Sequence, residues 1–261
     1  MKKTQATVLM SAIRRSNTGL LTVLACLLAA CCCGAGASAP ASTPASTAPV
    51  PAVPEVRAGT WVVMGSSTAA GAGAPAGKGW VALLESGLAS RGAQVANIAK
   101  VGAVTYHGLS ATAQAVSGRP LPDLAINIDQ ALARKPVVLI VSYPTNDTAL
   151  GYSSDETVNN ILSMRSLALE NAVPVIVMSS QPRNLAAVQL AQLRGIDTRL
   201  ASSSGPCFVD VRSVLAATDG LLAVAYDSGD GTHPNEVGHR LFAVQVRAAL
   251  DGGKCVRIPP G

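Results

Sequence analysis

Charged and aromatic side chains are both scarce in this sequence. Only 13% of the 261 residues are Asp, Glu, Lys or Arg and 3% are Phe, Trp or Tyr, whereas 49% are hydrophobic. A chain with so much apolar surface can bury a large core, which excludes wholesale disorder. The scarcity of aromatic residues also disfavours a large lipid-binding site.

Motifs for metals, phosphates and solenoid repeats are absent as well. Neither HExxH nor a pair of CxxC motifs occurs, and no cluster of His, Cys and Asp has the spacing of metal ligands. The Gly-rich stretch 65–79 lacks the GxxxxGK[ST] spacing, because Lys78 is followed by Gly79. No repeat recurs at a solenoid period. We therefore predict neither a bound metal nor a cofactor.

The positive net charge comes mostly from one end of the chain. The formal charge is +5, but four of the twenty basic residues are Lys2, Lys3, Arg14 and Arg15. Without them, 16 basic residues stand against 15 acidic ones, a net charge of +1. No stripe of Lys and Arg with interleaved aromatics remains, which argues against nucleic acid as a partner.

The first thirty residues have the pattern of a secretory signal. A basic start is followed by the apolar run LLTVLACLLAA at 20–30, which is too short to span a bilayer. The sequence LAAC at 28–31 resembles the lipobox of bacterial lipoproteins, which implies cleavage before Cys31 and lipidation of its thiol. The alternative is an ordinary signal peptide with incidental cysteines. The lipoprotein reading places the protein in the bacterial cell envelope, with its domain facing the periplasm or the exterior.

A tether follows the signal. Residues 31–58 are dominated by Ala, Ser, Thr, Pro and Gly without hydrophobic periodicity, which is typical of an extended linker. We therefore predict a signal peptide at 1–30, a lipidated tether at 31–58 and one folded domain at 59–261. In this arrangement a membrane serves as an anchor and not as a substrate.

The domain contains two cysteines, Cys207 and Cys255, which would share an oxidising compartment after export. A bridge between them would close 48 residues of chain and contribute about 4 kcal/mol through loop-closure entropy. Two unpaired thiols are the alternative, since pairing cannot be read from sequence.

Apolar runs alternate with helical patterns along the domain. Continuous apolar runs indicate strands that are buried on both faces, and the alternation predicts a three-layer αβα sandwich with a five-stranded parallel sheet. Ligands of such sheets bind beyond the carboxyl ends of the strands. The predicted strands are 60–64, 94–98, 136–142, 174–179 and 207–211, and the predicted helices are 79–91, 122–134, 155–171, 185–202 and 235–250.

Two stretches contain residues suited to nucleophilic catalysis. The first strand ends in GSST at 65–68, where a serine hydroxyl can project into the crevice. Near the other end, Asp230 and His233 are three residues apart in a Gly-rich loop before the last helix, so the carboxylate can orient an imidazole that acts as general base. Asp227 is a weaker competitor for the carboxylate role.

These stretches resemble the first and last blocks of the SGNH (GDSL-like) hydrolase family. The family's Gly-Asp-Ser, with a glycine four residues after the serine, is similar to Gly65-Ser66-Ser67 with Gly71. Ser66 stands where the family has aspartate, and counting back from Gly71 favours Ser67 over Ser66 as the nucleophile. The final Asp-x-x-His block matches Asp230 and His233.

The two middle blocks of the family resemble further stretches in the same order. The family's Asn-x-Gly-x-x-Gly is similar to residues 97–102, with Ala99 in place of a glycine. Its Gly-x-Asn-Asp is similar to residues 144–147, with Pro144 in place of the glycine. The resemblance covers residues 59–250 and implies a flavodoxin-like SGNH hydrolase fold. It also implies an oxyanion hole formed by the amides of Ser67 and Gly102 and the side chain of Asn146.

The resemblance implies a serine esterase. Its triad would be Ser67, His233 and Asp230, and its substrate a short acyl ester, in particular an O-acetyl group on a polysaccharide. Two alternatives stay open: a lipid esterase or thioesterase, and a non-catalytic envelope lipoprotein that binds glycan.

The remaining polar residues near these blocks have two readings each. His107 and His239 are expected to be structural, and Asp147 is expected to hold the Asn146 loop. Four tyrosines lie beside the blocks and either line an acyl or sugar site or occupy half-exposed loop edges; they are Tyr106, Tyr143, Tyr152 and Tyr226.

Overall fold

The computed structural model describes residues 52–56, 58–143 and 145–258. The predicted signal peptide, Cys31, most of the predicted tether and Pro144 lie outside these residues. The strands are β1 Gly59–Gly65, β2 Ala93–Asn97, β3 Val138–Ser142, β4 Val175–Met178 and β5 Phe208–Val209. The α-helices are α1 Trp80–Leu88, α2 Thr105–Gly108, α3 Ile128–Ala133, α4 Thr145–Ala149, α5 Ser154–Glu170, α6 Ala187–Ser204, α7 Arg212–Leu215 and α8 Glu236–Asp251.

The five strands form one parallel sheet with the order β2-β1-β3-β4-β5. The predicted α/β class and the five-stranded parallel sheet are confirmed. The chain leaves β1 towards β2 on one side of the sheet and leaves β3 towards β4 on the other side, which opens a crevice beyond the carboxyl ends of the neighbouring strands β1 and β3. The candidate nucleophile follows β1 at that point.

Two apolar cores cover the two faces of the sheet. On one face, Val62 and Met64 of β1 pack with residues of α2, α3, α5 and α6. On the other face, Trp61 and Val63 pack with residues of α1, α7 and α8, where the rings of Trp80 and Phe242 stack with centroids 4.9 Å apart. Alternate side chains of β1 therefore enter different cores, which explains why its central residues 61–64 are continuously apolar.

The predicted helix at 122–134 is wrong in its first half. Only Ile128–Ala133 is helical, because polar side chains hold the residues before it in turns. Asp123 accepts a hydrogen bond from the amide of Ala125, and its own amide donates to the carbonyl of His107. The side chain of Asn127 then caps α3 by accepting from the amide of Gln130. The other predicted helices lie within a few residues of their observed bounds.

The carboxyl-terminal segment is tied to the rest of the domain at two points. Cys207 and Cys255 form a disulfide, with their Cα atoms 4.7 Å apart. The backbone of Arg257 exchanges hydrogen bonds with residues 54–56, the end of the stretch whose composition predicts a tether, and Val56 is buried there.

Candidate active site

The candidate nucleophile lies in a tight turn directly after β1. Gly65 is required at the start of this turn, because a Cβ atom there would lie 2.4 Å from the carbonyl oxygen of Ser142 at the end of β3. The carbonyl of Ser67 accepts a hydrogen bond from the amide of Ala72, which closes the turn. Ser67 is 5% exposed, and its hydroxyl points towards the loop before α8.

His233 lies in that loop and contacts Ser67 directly. Its Nε2 atom is 2.8 Å from the Oγ atom of Ser67, within the range of a hydrogen bond. A Cβ atom on Gly73 would lie 2.8 Å from the Cβ atom of His233, so only glycine lets the nucleophile loop approach so closely. The loop itself is fixed by Asn235, which caps α8 and donates from its side chain to the carbonyl of Asp227.

Asp230 contacts the other ring nitrogen of His233. Its Oδ2 atom is 2.5 Å from Nδ1, and its Oδ1 atom accepts from the amides of Thr232 and His233 at 2.8 Å. Although partial burial opposes the effect, these hydrogen bonds with His233 and Thr232 hold the pKa of Asp230 well below its usual range. The carboxylate therefore stays ionised and favours the tautomer of His233 that carries a proton on Nδ1 and leaves Nε2 free to accept.

Asp227, the competing carboxylate, has a different role. Its side chain accepts from the amides of Gly229 and Gly231 within its own loop. It therefore shapes the loop, while Asp230 makes the contact with His233.

Two open amides face the turn where an oxyanion would form. The backbone N–H groups of Ser67 and Gly102 donate to no acceptor in the described part of the chain. Gly102 has φ +77°, a left-handed conformation that glycine adopts without strain. Its loop is held by Lys100, whose amide donates to the carbonyl of Gly65. Open donors at this position suit an oxyanion hole.

Asn146 supplies a third donor. Its Nδ2 atom donates to the carbonyl of Ala103 at 2.9 Å, and its Oδ1 atom accepts from Arg183 at 3.1 Å. A carbonyl can only accept and a guanidinium can only donate, so these two partners fix the orientation of the amide. One of the two N–H bonds of Nδ2 remains available.

Asp147 follows Asn146 and is expected to hold the Asn146 loop; its hydrogen bonds join this loop to Thr105. It is fully buried, and both its oxygens accept from Thr105. Burial raises its pKa to about 6, while the hydrogen bonds from Thr105 oppose the shift.

The other histidines have structural contacts. His239 is fully buried, with Nδ1 accepting from the amide of Trp80 and Nε2 donating to the carbonyl of Ala72. It thus holds the nucleophile loop against α1 and α8. His107 accepts from the amide of Val104 through Nδ1.

Three of the four tyrosines are buried: Tyr106, Tyr143 and Tyr152. The expectation that they occupy half-exposed loop edges is therefore wrong for these three. They belong to the core beneath α2 and α5, where the hydroxyl of Tyr106 donates to Glu156 and the ring of Tyr152 packs against Arg119. Tyr226 is partly buried.

Gln181 is a site residue that the sequence motifs did not reveal. It follows β4 and is 5% exposed, with its Nε2 atom 2.6 Å from the hydroxyl of Thr68 and 3.3 Å from the carbonyl of Thr232. Thr68 follows the candidate nucleophile and Thr232 precedes the candidate base, so one amide group joins the two loops. Its place beyond the carboxyl end of a strand is the only sequence signal that could have indicated it.

We expect the substitution Gln181→Leu to lower kcat by about 10- to 100-fold with a smaller change in KM. Without the bridging amide, the two loops can shift relative to each other, and small misplacements of reacting groups cost that much. The measurement is steady-state hydrolysis of 4-nitrophenyl acetate. Gln192→Leu is the matched control, because Gln192 donates to the carbonyl of Tyr152 and contacts neither loop. Equal losses in both variants would contradict the bridging role.

Among the residues that the structure describes, no three His, Cys, Asp or Glu side chains form a group that could hold a metal ion. In the same part of the chain, no helix combines the length and the apolar character needed to cross a bilayer.

Solved structures with the same fold include several esterases. The psychrotrophic esterase EstA from Pseudoalteromonas sp. is 15% identical, with a TM-score of 0.55 over 73% of this chain and 96% of that chain. A member of the lipolytic protein G-D-S-L family from Veillonella parvula is 18% identical, with a TM-score of 0.55 over 72% and 96%. AlinE4, an SGNH-hydrolase family esterase, is 24% identical, with a TM-score of 0.52 over 74% and 95%. At these identities the likeness shows the fold.

A comparison with curated proteins gives no match. The sequence profile of the GDSL-like Lipase/Acylhydrolase family, in contrast, matches residues 63–241. This range contains the turn after β1, the loops after β2 and β3, and the loop before α8. The chain therefore belongs to the GDSL-like lipase/acylhydrolase (SGNH) family of hydrolases.

Proposed function

We propose that the protein hydrolyses short acyl esters through a triad of Ser67, His233 and Asp230. The observation that carries the proposal is the continuous contact from the Ser67 hydroxyl through both ring nitrogens of His233 to Asp230, with distances of 2.8 and 2.5 Å. A nucleophile, a base and an orienting carboxylate in this order are the components of acyl transfer to serine.

The first step is attack of the Ser67 oxygen on the ester carbonyl, while Nε2 of His233 takes the hydroxyl proton. Negative charge then develops on the carbonyl oxygen, where the open amides of Ser67 and Gly102 and the free N–H of Asn146 can donate to it. The alcohol leaves with the proton from His233. Water, deprotonated by the same nitrogen, then attacks the acyl-serine and releases the acid.

A cavity beside the nucleophile turn supports a small acyl group. It has a volume of about 360 Å³ and borders Ala69, Asn97 and Val101. The rest of its lining is mostly alanine and glycine, with Val81 and Pro75 as the largest side chains. Such a lining offers little apolar surface to a long acyl chain and suits an acetyl group.

The natural substrate that we favour is an O-acetyl group on an extracellular or surface polysaccharide. This proposal also uses the signal and lipobox pattern that ends at Cys31, which lies outside the described residues. A domain tethered at the envelope would meet such glycans on its own side of the membrane.

A second candidate function is hydrolysis of longer lipid esters. It is favoured by exposed apolar side chains beside the proposed oxyanion hole: Val101 is 67% exposed and adjoins Gly102, and Leu150 is 63% exposed one turn after Asn146. Exposed apolar groups at the mouth of a site can contact an acyl chain.

The test is hydrolysis of 4-nitrophenyl esters from acetate to palmitate by the full-length chain. We expect kcat/KM to be highest between acetate and butyrate and to fall by at least about tenfold at octanoate, because a cavity of about 360 Å³ with a lining of small side chains offers few contacts to the added methylenes. A maximum at palmitate would favour the lipid esterase. No hydrolysis of any ester, together with no adduct from a serine-directed phosphonate, would indicate a non-catalytic glycan-binding protein.

A further inference from the structure

Arg183 brings a positive charge to the crevice beside the proposed oxyanion hole. It follows β4, and the amide of its neighbour Asn184 donates to the carbonyl of Gly231, next to Asp230. Its guanidinium reaches across to the Oδ1 atom of Asn146 at 3.1 Å. The charge therefore lies between the loop that carries Asp230 and the loop that carries Asn146.

This guanidinium has no carboxylate partner. The hydrogen bond to Asn146 is its only contact with a polar group in the described part of the chain, and no carboxylate there lies within 4.0 Å. Two other partly buried arginines are paired, Arg119 with Glu156 at 2.6 Å and Arg212 with Asp197 at 2.7 Å, whereas Arg165, in α5, forms no ion pair with a described carboxylate. Arg183 thus keeps most of its five N–H donors free.

The surroundings of Arg183 make an anionic partner favourable. Burial lowers the pKa of its guanidinium, while Asp230 opposes this shift. That carboxylate accepts from both the ring and the amide of His233, so it is already engaged. A partly desolvated cation without a counter-ion gains more from binding an anion than an exposed one does.

We propose that Arg183 forms an anion-binding subsite and that the natural substrate carries a carboxylate on the alcohol side of the scissile ester. This inference rests on the proposed ester hydrolysis. The sheet order gives the direction: the alanine-lined cavity lies near the end of β2, Ser67 and Asn146 follow β1 and β3, and Arg183 follows β4. With the acyl group in that cavity, the alcohol extends towards Arg183. An acetylated glycan that contains uronic acid has this chemistry.

The test compares two acetate esters, 3-acetoxybenzoate and its neutral amide analogue 3-acetoxybenzamide, with each kcat/KM divided by the rate constant for hydroxide-catalysed hydrolysis of the same ester. For the wild-type chain we expect kcat/KM to be about tenfold higher for the anionic ester, as a charge-assisted bidentate contact predicts. In Arg183→Met the ratio should fall to about one, and in Arg183→Lys it should be intermediate. Arg199→Met is the control, since it removes an equal charge from the pair with Asp155 at a distance from the site.

The ratio of kcat/KM values for the two esters distinguishes anion binding by Arg183 from a role in which Arg183 only positions Asn146. If Arg183 only orients Asn146, Arg183→Met lowers kcat for both esters equally and leaves the ratio as in the wild type. That result, or a wild-type ratio near one, would overturn the proposal. A ratio that also falls in Arg199→Met would overturn it as well, because bulk charge would then explain the preference.

A binding measurement makes the subsite independent of catalysis. Calorimetric titration of the Ser67→Ala chain with 3-hydroxybenzoate and with 3-hydroxybenzamide should show tighter binding of the anion, and the further change Arg183→Met should remove the difference. Anion binding that needs Arg183, together with no ester cleavage by the wild-type chain, would support the subsite and overturn the proposed hydrolysis. Ester cleavage without such binding would overturn the subsite alone.

Discussion

Replacing Ser67 with alanine is expected to lower kcat for 4-nitrophenyl acetate by about 10⁴- to 10⁶-fold. The substitution removes the attacking oxygen that lies 2.8 Å from Nε2 of His233, while the open amides of Ser67 and Gly102 stay in place. The activity that remains would come from these donors and from substrate binding. Steady-state kinetics of the purified variant, with its thermal unfolding compared with that of the wild type, provide the measurement.

Ser66→Ala is the matched control for this experiment. Ser66 is also buried and adjoins the nucleophile, but its hydrogen bonds are formed by its backbone. Its amide donates to the carbonyl of Ser142, and its carbonyl accepts from the amide of Ala70. We expect a loss of less than about tenfold, because no reacting group changes. A serine-directed phosphonate should label the wild type and Ser66→Ala but not Ser67→Ala. The reverse pattern would assign the attack to Ser66.

The architecture could be predicted from sequence because the central strands β1, β3 and β4 are largely apolar on both faces. Residues 137–141, for example, are all apolar, so a parallel sheet covered on two sides is the arrangement that buries them. The helix predicted at 122–134 failed for a local reason, since the side chains of Asp123 and Asn127 bond to backbone amides and stop the helix. Hydrophobic periodicity alone does not show that side chains compete with the helix for backbone amides.

Some residues of the candidate site could be predicted from the sequence and others could not. Ser67 and His233 could be named because each lies in a short motif that resembles a block of the family, although 166 residues separate them. Gln181 and Arg183 could not, because their importance depends on loops that are distant in sequence: Gln181 meets Thr68 across 113 residues. Only the sheet order, which places β4 next to β3 and one strand away from β1, brings them into the crevice.

The buried tyrosines illustrate a related limit. Their position beside the catalytic motifs suggested exposure, but the loops after β2 and β3 turn back onto α5, so Tyr106 and Tyr152 fill the space beneath the site. Sequence proximity to a motif therefore does not indicate on which side of a loop a large side chain lies. That side is decided by packing against the neighbouring helix.

Asp230→Asn is expected to lower kcat by about 10⁴-fold while the fold is retained. An asparagine side chain can present an N–H to Nδ1 of His233, which favours the tautomer with the proton on Nε2, and that nitrogen can then no longer accept the proton of Ser67. The loop should survive, because Asn can still accept from the amides of Thr232 and His233 through its oxygen. The measurement is kcat for 4-nitrophenyl acetate together with thermal unfolding.

Asp227→Asn, in the same loop, is expected to affect stability more than catalysis. In the described part of the chain, the side chain of Asp227 accepts hydrogen bonds only from the amides of Gly229 and Gly231, and an asparagine oxygen can replace most of these contacts. We expect kcat to fall by no more than about tenfold. The main effect should be a lower unfolding temperature, because these hydrogen bonds shape the loop. Only a carboxylate that bonds to Nδ1 of His233 can fix the tautomer of the imidazole. If Asp227→Asn abolished turnover while Asp230→Asn retained it, Asp230 would therefore not be the residue that orients His233.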